Sequence, residues 1–172
     1  DGIRDKLVTG VQTCALPIYP RPASPHAFAG SVLGVKLMNP FQFGENGPGG
    51  WWFLDEPELH FGGDVLVPDI AAWRRERMPV VPGVAYFTLA PDWVCEVISP
   101  STEKLDRQKK QAIYAREGVA HLWLVDPLQQ TLEVFRLSGA RWTLLAVHEG
   151  AERKRVEPFD AIEFPLVALW SG

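Results

Sequence analysis

Cysteine is nearly absent from this chain of 172 residues, which carries only Cys14 and Cys95. A pair is too few for a disulfide framework, and nothing in the sequence argues for an oxidising compartment. Long apolar runs are missing too: none approaches the ~20 residues that a membrane-spanning helix needs. There is no excess of positive charge, since 17 Lys and Arg stand against 21 Asp and Glu, a net charge of -4. That balance excludes a protein coated in nucleic-acid-binding charge and leaves room only for a local basic patch. No glycine-rich phosphate loop and no G-x-S-x-G nucleophile elbow occurs. The histidines His26, His60, His121 and His148 lack the spacing of zinc ligands. What is present is core material, with 47% hydrophobic residues and seven Trp. The expectation is a soluble, cytoplasmic domain with a substantial core and no membrane contact.

The opening stretch, DGIRDKLVTGVQTCALPI, has neither helical nor strand periodicity, no caps and no signal-peptide composition. Residues 8–18 reverse-translate into one arm of a common sequencing adapter and residues 1–5 into the other, with Lys6 and Leu7 spanning an index. Residues 1–18 are therefore expected to be a non-native, adapter-derived tail and are set aside from fold reasoning. With them go Asp1, Arg4, Asp5, Lys6 and Cys14, so the net charge is unchanged and Cys95 stands alone. Residues 19–172 are expected to form a single domain.

Along that domain, Ser24 and Pro25 open SPHAFAGSVLGVKLMNPF as N-cap and first-turn proline, and Pro40 is expected to end the helix. GENGPGG reads as a loop. WWFLDEPELHF and DVLVPDIAAWR predict two strands joined by a hairpin at Gly62-Gly63. After a proline-punctuated connection, DWVCEVISP has the short apolar character of a buried strand. STEKLDRQKKQAIYAREG follows as a helix, capped by Ser101 or Thr102 and stopped at Gly118. AHLWLVDP, TLEVFRLS and RWTLLAVHE predict three more strands, and VEPFDAIEFPLVALW a strand with a helical turn. The order is α/β in the broad sense, an α+β mixed β-sheet flanked by helices and not a regular βαβ repeat.

Chemistry concentrates around two acids. Asp69 sits early in one predicted strand and Glu96 within another. Alternation puts Glu96 on the face of Val94 and Ile98, where an ionised carboxylate needs a cationic partner. Two carboxylates from neighbouring strand ends suit a hard divalent cation such as Mg²⁺. On the following helix Asp106, Lys110 and Tyr114 recur at i, i+4 and i+8 and form one polar stripe. Lys110 is thereby placed to reach back over the strand end that carries Glu96.

Pro68-Asp69, the segment CEVISPST, the helix positions Asp106, Lys110 and Tyr114, and then AREGVAHLWLVDP together resemble the Uma-type restriction endonuclease family, a branch of the PD-(D/E)XK nuclease superfamily. The resemblance runs from about Ser24 to Trp170. It implies a restriction endonuclease-like core that hydrolyses DNA phosphodiester bonds with Mg²⁺ or Mn²⁺. Asp69 and Glu96 would be the metal ligands, and Lys110 would complete the catalytic set. The superfamily pattern places its lysine two residues after the acid, where this chain has Ile98; the Uma-type pattern places it on the next helix, where Lys110 fits and Lys104 and Lys109 are neighbours. Family members also carry an N-terminal helix and hairpin with an additional glutamate, which the adapter is expected to have replaced. DNA is the implied partner, and a homodimer is an admissible assembly.

Plainer readings stand beside these. Asp69 after a proline also suits a strand start, and Glu96 a structural pair with Lys or Arg. Glu58 is a possible auxiliary acid, as are Asp106 and Tyr114 as auxiliary groups, but a solvated edge suits Glu58 better and packing suits Tyr114. Asp126 reads as a turn cap, Cys95 as core, and ERKR at 152–155 as a solvated hairpin. His26 in SPH matches a feature of the family near the helix start and is not assigned a catalytic role. The competing function is a catalytically inactive DNA- or protein-binding module on the same fold, and a weaker one is an oligomerisation unit.

Overall fold

A computed structural model describes residues 24–99 and 104–170, the side chains of 104–106 excepted. The presumed adapter tail and the expected caps Ser101 and Thr102 lie outside the described residues. Among the described residues two α-helices, α1 (Ser24–Leu37) and α2 (Lys104–Arg116), accompany ten strands. The strands are β1 (Trp51–Asp55), β2 (Leu59–Phe61), β3 (Asp64–Leu66), β4 (Ile70–Arg74), β5 (Trp93–Val97), β6 (His121–Asp126), β7 (Thr131–Ser138), β8 (Arg141–Glu149), β9 (Arg153–Lys154) and β10 (Phe164–Pro165). Six of them form one sheet in the order β1-β4-β5-β6-β7-β8, with β2-β3 and β9-β10 as small separate ribbons. The β5–β6 pair is parallel and its neighbours in the sheet are antiparallel. This is the mixed sheet with helices that the element order predicted. No helix among the described residues is long and apolar enough to cross a membrane.

The two long strands expected before position 75 are each broken. Pro57 cannot donate to a ladder, and the preceding Glu56 takes a left-handed backbone at φ 47°, so the chain leaves β1 and restarts as β2. On the return path Pro68 separates β3 from β4. The Gly62-Gly63 turn does join a hairpin, but a short one, with Phe61 opposite Asp64. Helix α1 also departs from expectation. Its regular turns stop at Leu37, yet the chain continues through Pro40 as a wider helical turn, Met38–Gln42, closed by Phe43 N–H donating to the Met38 carbonyl at 3.0 Å. Gly47 packs against that turn; a Cβ there would lie 2.4 Å from the Pro40 Cβ. Gly118, at φ 76°, ends α2 as expected.

Period-two alternation sends side chains to two apolar layers. One holds Trp93, Cys95 and Val97 of β5 with Ile70 and Ala72 of β4, under Ala29, Leu33 and Leu37 of α1. The other holds Val94, Ala71 and Trp73 under Ile113 and Tyr114 of α2 and Leu59, Phe61 and Leu66 of the β2-β3 hairpin. Cys95 is core, as expected, and burial pushes its thiol well above the ordinary range. Asp126 caps its turn by accepting from the Leu128 and Gln129 N–H groups at 3.0 and 2.9 Å. The residues 152–155 contribute to the β9-β10 ribbon, where Arg153 is solvent-exposed.

Phe159 is the centre of the α1-side layer. Its ring lies 4.8 Å from Phe41, 5.0 Å from Trp51, 5.1 Å from Trp93, 5.4 Å from Phe53 and 5.6 Å from Trp123. One side chain outside the main sheet thus ties the helical turn after α1 to three of its strands, β1, β5 and β6. Phe159→Ala is expected to lower stability by about 3–5 kcal/mol, the usual cost of an aromatic-sized cavity, read as a shift in the urea midpoint with an unchanged m-value.

Candidate active site

Glu96 faces the α2 layer, and its side chain is 13% exposed. A carboxylate in that setting must be partnered. Lys110 supplies both oxygens, with Nζ 3.0 Å from Oε2 and 3.2 Å from Oε1, and Tyr114 donates its hydroxyl to Oε1 at 2.6 Å. The same ammonium donates to the Val67 carbonyl at 3.3 Å, pinning the chain just after β3. Lys110 and Tyr114 reach one target because residues four apart share a helix face. Burial pushes the Glu96 carboxyl above the ordinary glutamate range; Lys110 and the Tyr114 hydroxyl oppose that rise, and the neighbouring Asp69 charge adds to it.

Asp69 immediately precedes β4. Ile70 pairs with Cys95, so continuing that antiparallel register by one residue sets Asp69 opposite Glu96 at the strand end. Its Oδ2 accepts from the Val97 backbone N–H at 2.6 Å, completing the ladder at the strand end with a side chain. Its Oδ1 is 3.4 Å from His26 Nε2, on the first turn of α1. The contact with Asp69 raises the imidazole above its ordinary value, against the lowering effect of burial. His26 and Asp69 line a cavity of about 440 Å³ together with Asp55, Glu56, Gly30 and Gly34.

The structure therefore gathers Asp69, Glu96, Lys110 and Tyr114 at one end of the β4–β5 pair. It does not bring Glu58 there. The break at Glu56-Pro57 carries Glu58 into the β2 hairpin, where its Oε1 lies 2.5 Å from His60 Nε2 and His60 stacks on Tyr86. The acids that the same break leaves beside Asp69 are Asp55 and Glu56, and Glu56 N–H donates to the Asp69 carbonyl at 3.0 Å. His26 was likewise missed as a neighbour of Asp69, because nothing in a Ser-Pro-His helix start tells which strand end it will meet. Asp106 lies on α2, with its side chain outside the described residues, as does that of Lys104.

Among the described residues, no three His, Cys, Asp or Glu side chains gather as a ready-made metal cage. The donor set nonetheless fits a cation that keeps most of its water, since Mg²⁺ is commonly held by one or two carboxylates. Lys110 and Tyr114 occupy three of the roughly four acceptor positions of Glu96, which leaves one on Oε2. Asp69 also lines the cavity of about 440 Å³, to which neither Glu96 nor Lys110 contributes.

The fold, a mixed sheet flanked by helices, is shared with known proteins. The Uma2 family, described as "Putative restriction endonuclease", matches residues 20–166, and the chain belongs to that family. A crystal structure titled as a putative nuclease belonging to DUF820, from Anabaena variabilis, superposes with a TM-score of 0.71. It is 23% identical in sequence, covering 88% of this chain and 83% of that one, and it shows the shared fold. No curated protein matches the chain.

The Tyr114 hydroxyl can be tested apart from any activity. Tyr114→Phe keeps the packing and removes one donor to a carboxylate, so it is expected to cost about 1.5–3 kcal/mol in chemical denaturation. In a double-mutant cycle with Glu96→Gln the two changes should be clearly non-additive.

Proposed function

We propose that this chain is a metal-dependent endonuclease that hydrolyses DNA phosphodiester bonds, with Asp69 and Glu96 as ligands of Mg²⁺ or Mn²⁺ and Lys110 as the catalytic cation beside them. The observation that carries this reading is the β4–β5 register that sets Asp69 opposite Glu96, with a lysine bound to Glu96. Membership of the Uma2 family supports the nuclease class. A bound divalent cation would polarise the phosphate and lower the proton affinity of an attacking water. The chain's own groups do the positioning. Val97 N–H fixes one oxygen of Asp69, and the other lies 3.4 Å from His26 Nε2. Tyr114 and Lys110 hold Glu96 in a single orientation, and Lys110, 23% exposed, keeps an ammonium near enough to the acids to meet a phosphate oxygen or a water.

A silent DNA-binding module draws on one of the same contacts: Glu96 is already satisfied by Lys110 and Tyr114 without a cation. Plasmid nicking separates the readings. With Mn²⁺ or Mg²⁺ the wild-type chain is expected to nick supercoiled DNA, EDTA to stop it, and Asp69→Asn or Glu96→Gln to reduce it by more than the ~10–100-fold that outer-shell changes around a metal already cost. Nicking by all variants alike, or by none while wild type binds DNA, would overturn the enzymatic reading.

Arg107 and Lys109 add positive charge to α2, with Lys109 exposed, and are proposed to meet the DNA backbone. Lys109→Ala should weaken DNA binding about equally for unrelated sequences and lower the slope of log affinity against log salt by about one. An unchanged slope in fluorescence anisotropy would move the phosphate-contacting surface elsewhere.

A further inference from the structure

At the end of β4 remote from Asp69 stand two arginines that the nuclease reading leaves without a task. Arg74 closes the strand, roughly 16 Å from Asp69 at about 3.3 Å per residue, and Arg75 follows it. We infer that the pair forms an oxyanion pocket, a second binding site that takes a phosphate monoester and is separate from the Asp69–Glu96 end of the sheet. The inference does not rest on the proposed nuclease activity.

Charge comes first. Both arginines are half-buried, a guanidinium is always charged, and among the described residues neither forms an ion pair with an acid. Arg77, Arg116, Arg136 and Arg153 each do. Orientation comes next. The Arg74 guanidinium lies over the Trp51 ring at 4.5 Å, a contact that uses its face and leaves its N–H edge uncommitted. Arg75 lies over Trp52 at 3.9 Å and donates from Nε to the Trp51 carbonyl at 3.3 Å and from Nη2 to the Gln42 carbonyl at 2.7 Å. Those bonds fix its plane and leave Nη1 for another acceptor. The last observation is room. Both arginines line a cavity of about 340 Å³ together with Trp51, Gly49 and Gly50. The glycines, at φ 66° and 88°, give their wall no side chain, so an anion can come close to the backbone. Glu76 is the one acid on the lining, and it is exposed. A guanidinium fork donates in parallel to two oxygens of one phosphate, and two such cations at one cavity match the double charge of a monoester better than the single charge of a carboxylate or a diester.

The experiment is titration calorimetry at constant ionic strength, with inorganic phosphate, a 5′-mononucleotide and a DNA duplex without terminal phosphates as titrants. The proteins are the full chain as wild type, Arg74→Gln, Arg74→Lys and Asp69→Asn, with circular dichroism to follow the fold. Arg74 is the position to change, because the carbonyl contacts of Arg75 also hold the turn after α1 against β1. Expected is saturable binding of phosphate and of the mononucleotide, weakened at least ~10-fold in Arg74→Gln and unchanged in Asp69→Asn. Arg74→Lys keeps a charge without the fork and should recover only part of the loss. No saturable binding by the folded wild type, or equal affinity in Arg74→Gln, would overturn the inference and leave Arg74 as a cover for Trp51. Binding lost in Asp69→Asn but intact in Arg74→Gln would overturn it too, by moving the phosphate to the acidic end of the strand. Binding of the mononucleotide without inorganic phosphate would replace an oxyanion pocket by recognition of the base. Duplex affinity that falls in Arg74→Gln while neither small anion binds would replace the monoester by the DNA backbone.

Discussion

Glu96 places a negative charge in a layer otherwise built from Val94, Leu122, Leu124, Ile113 and the ring of Tyr114. The desolvation of that carboxylate is a cost that hydrophobic burial cannot offset, so the layer has to bring its own cation and donor. Lys110 and Tyr114 do so, and through them α2 is fixed in rotation and in height above β5. The contact from Lys110 to the Val67 carbonyl then couples the β2-β3 hairpin to the same point. Stability alone does not explain this trio. A well-packed apolar replacement for a buried ion pair is commonly neutral or stabilising. The charge is kept at the open end of two strands, beside a second acid, where it is of use to chemistry.

The second acid answers a different need. Asp69 stands where β4 begins, and its carboxylate takes the N–H of Val97 that the backbone ladder would otherwise leave unmatched. That bond holds the two strand ends together and leaves the other oxygen to His26. Helices on opposite faces of the sheet then meet at this end. His26 arrives from α1 and Lys110 from α2, each positioned by its own apolar layer. The aromatic cluster around Phe159 contributes at a distance, by holding the turn after α1 against three strands of the main sheet.

How much of this could be read from the sequence depends on the range of the interaction. The face of Glu96 follows from alternation within five residues of β5, and the convergence of Lys110 and Tyr114 follows from the period of one helix. The hairpin at Gly62-Gly63 and the strands from residue 121 onward are equally local. The breaks at Pro57 and Pro68 were signalled by the prolines themselves, which do not belong inside a central strand. What the breaks do to Asp55, Glu56 and Glu58 was not legible, because exchanging one acid for another at the cavity depends on a left-handed residue at Glu56. The meeting of His26 with Asp69 spans 43 positions of chain, and no periodicity encodes it. The continuation of the helix through Pro40 rests on a wider turn that absorbs the missing N–H.

The parallel pairing of β5 with β6 has a further consequence, for the time at which these groups meet. Strands β6, β7 and β8 form a meander of short turns, whose contacts are near in sequence and quick to form. Joining β5 to β6 requires the whole α2 crossover to be laid down, and joining β4 to β5 requires closure of the connection across residues 75–92. Asp69, Glu96 and Lys110 lie on the segments that these two slow closures unite. The meeting place of the acids is thus among the last parts of the molecule to take shape. A ligand that grips both acids would act on contacts absent from the folding transition state, and so would lengthen the lifetime of the folded chain without hastening its formation.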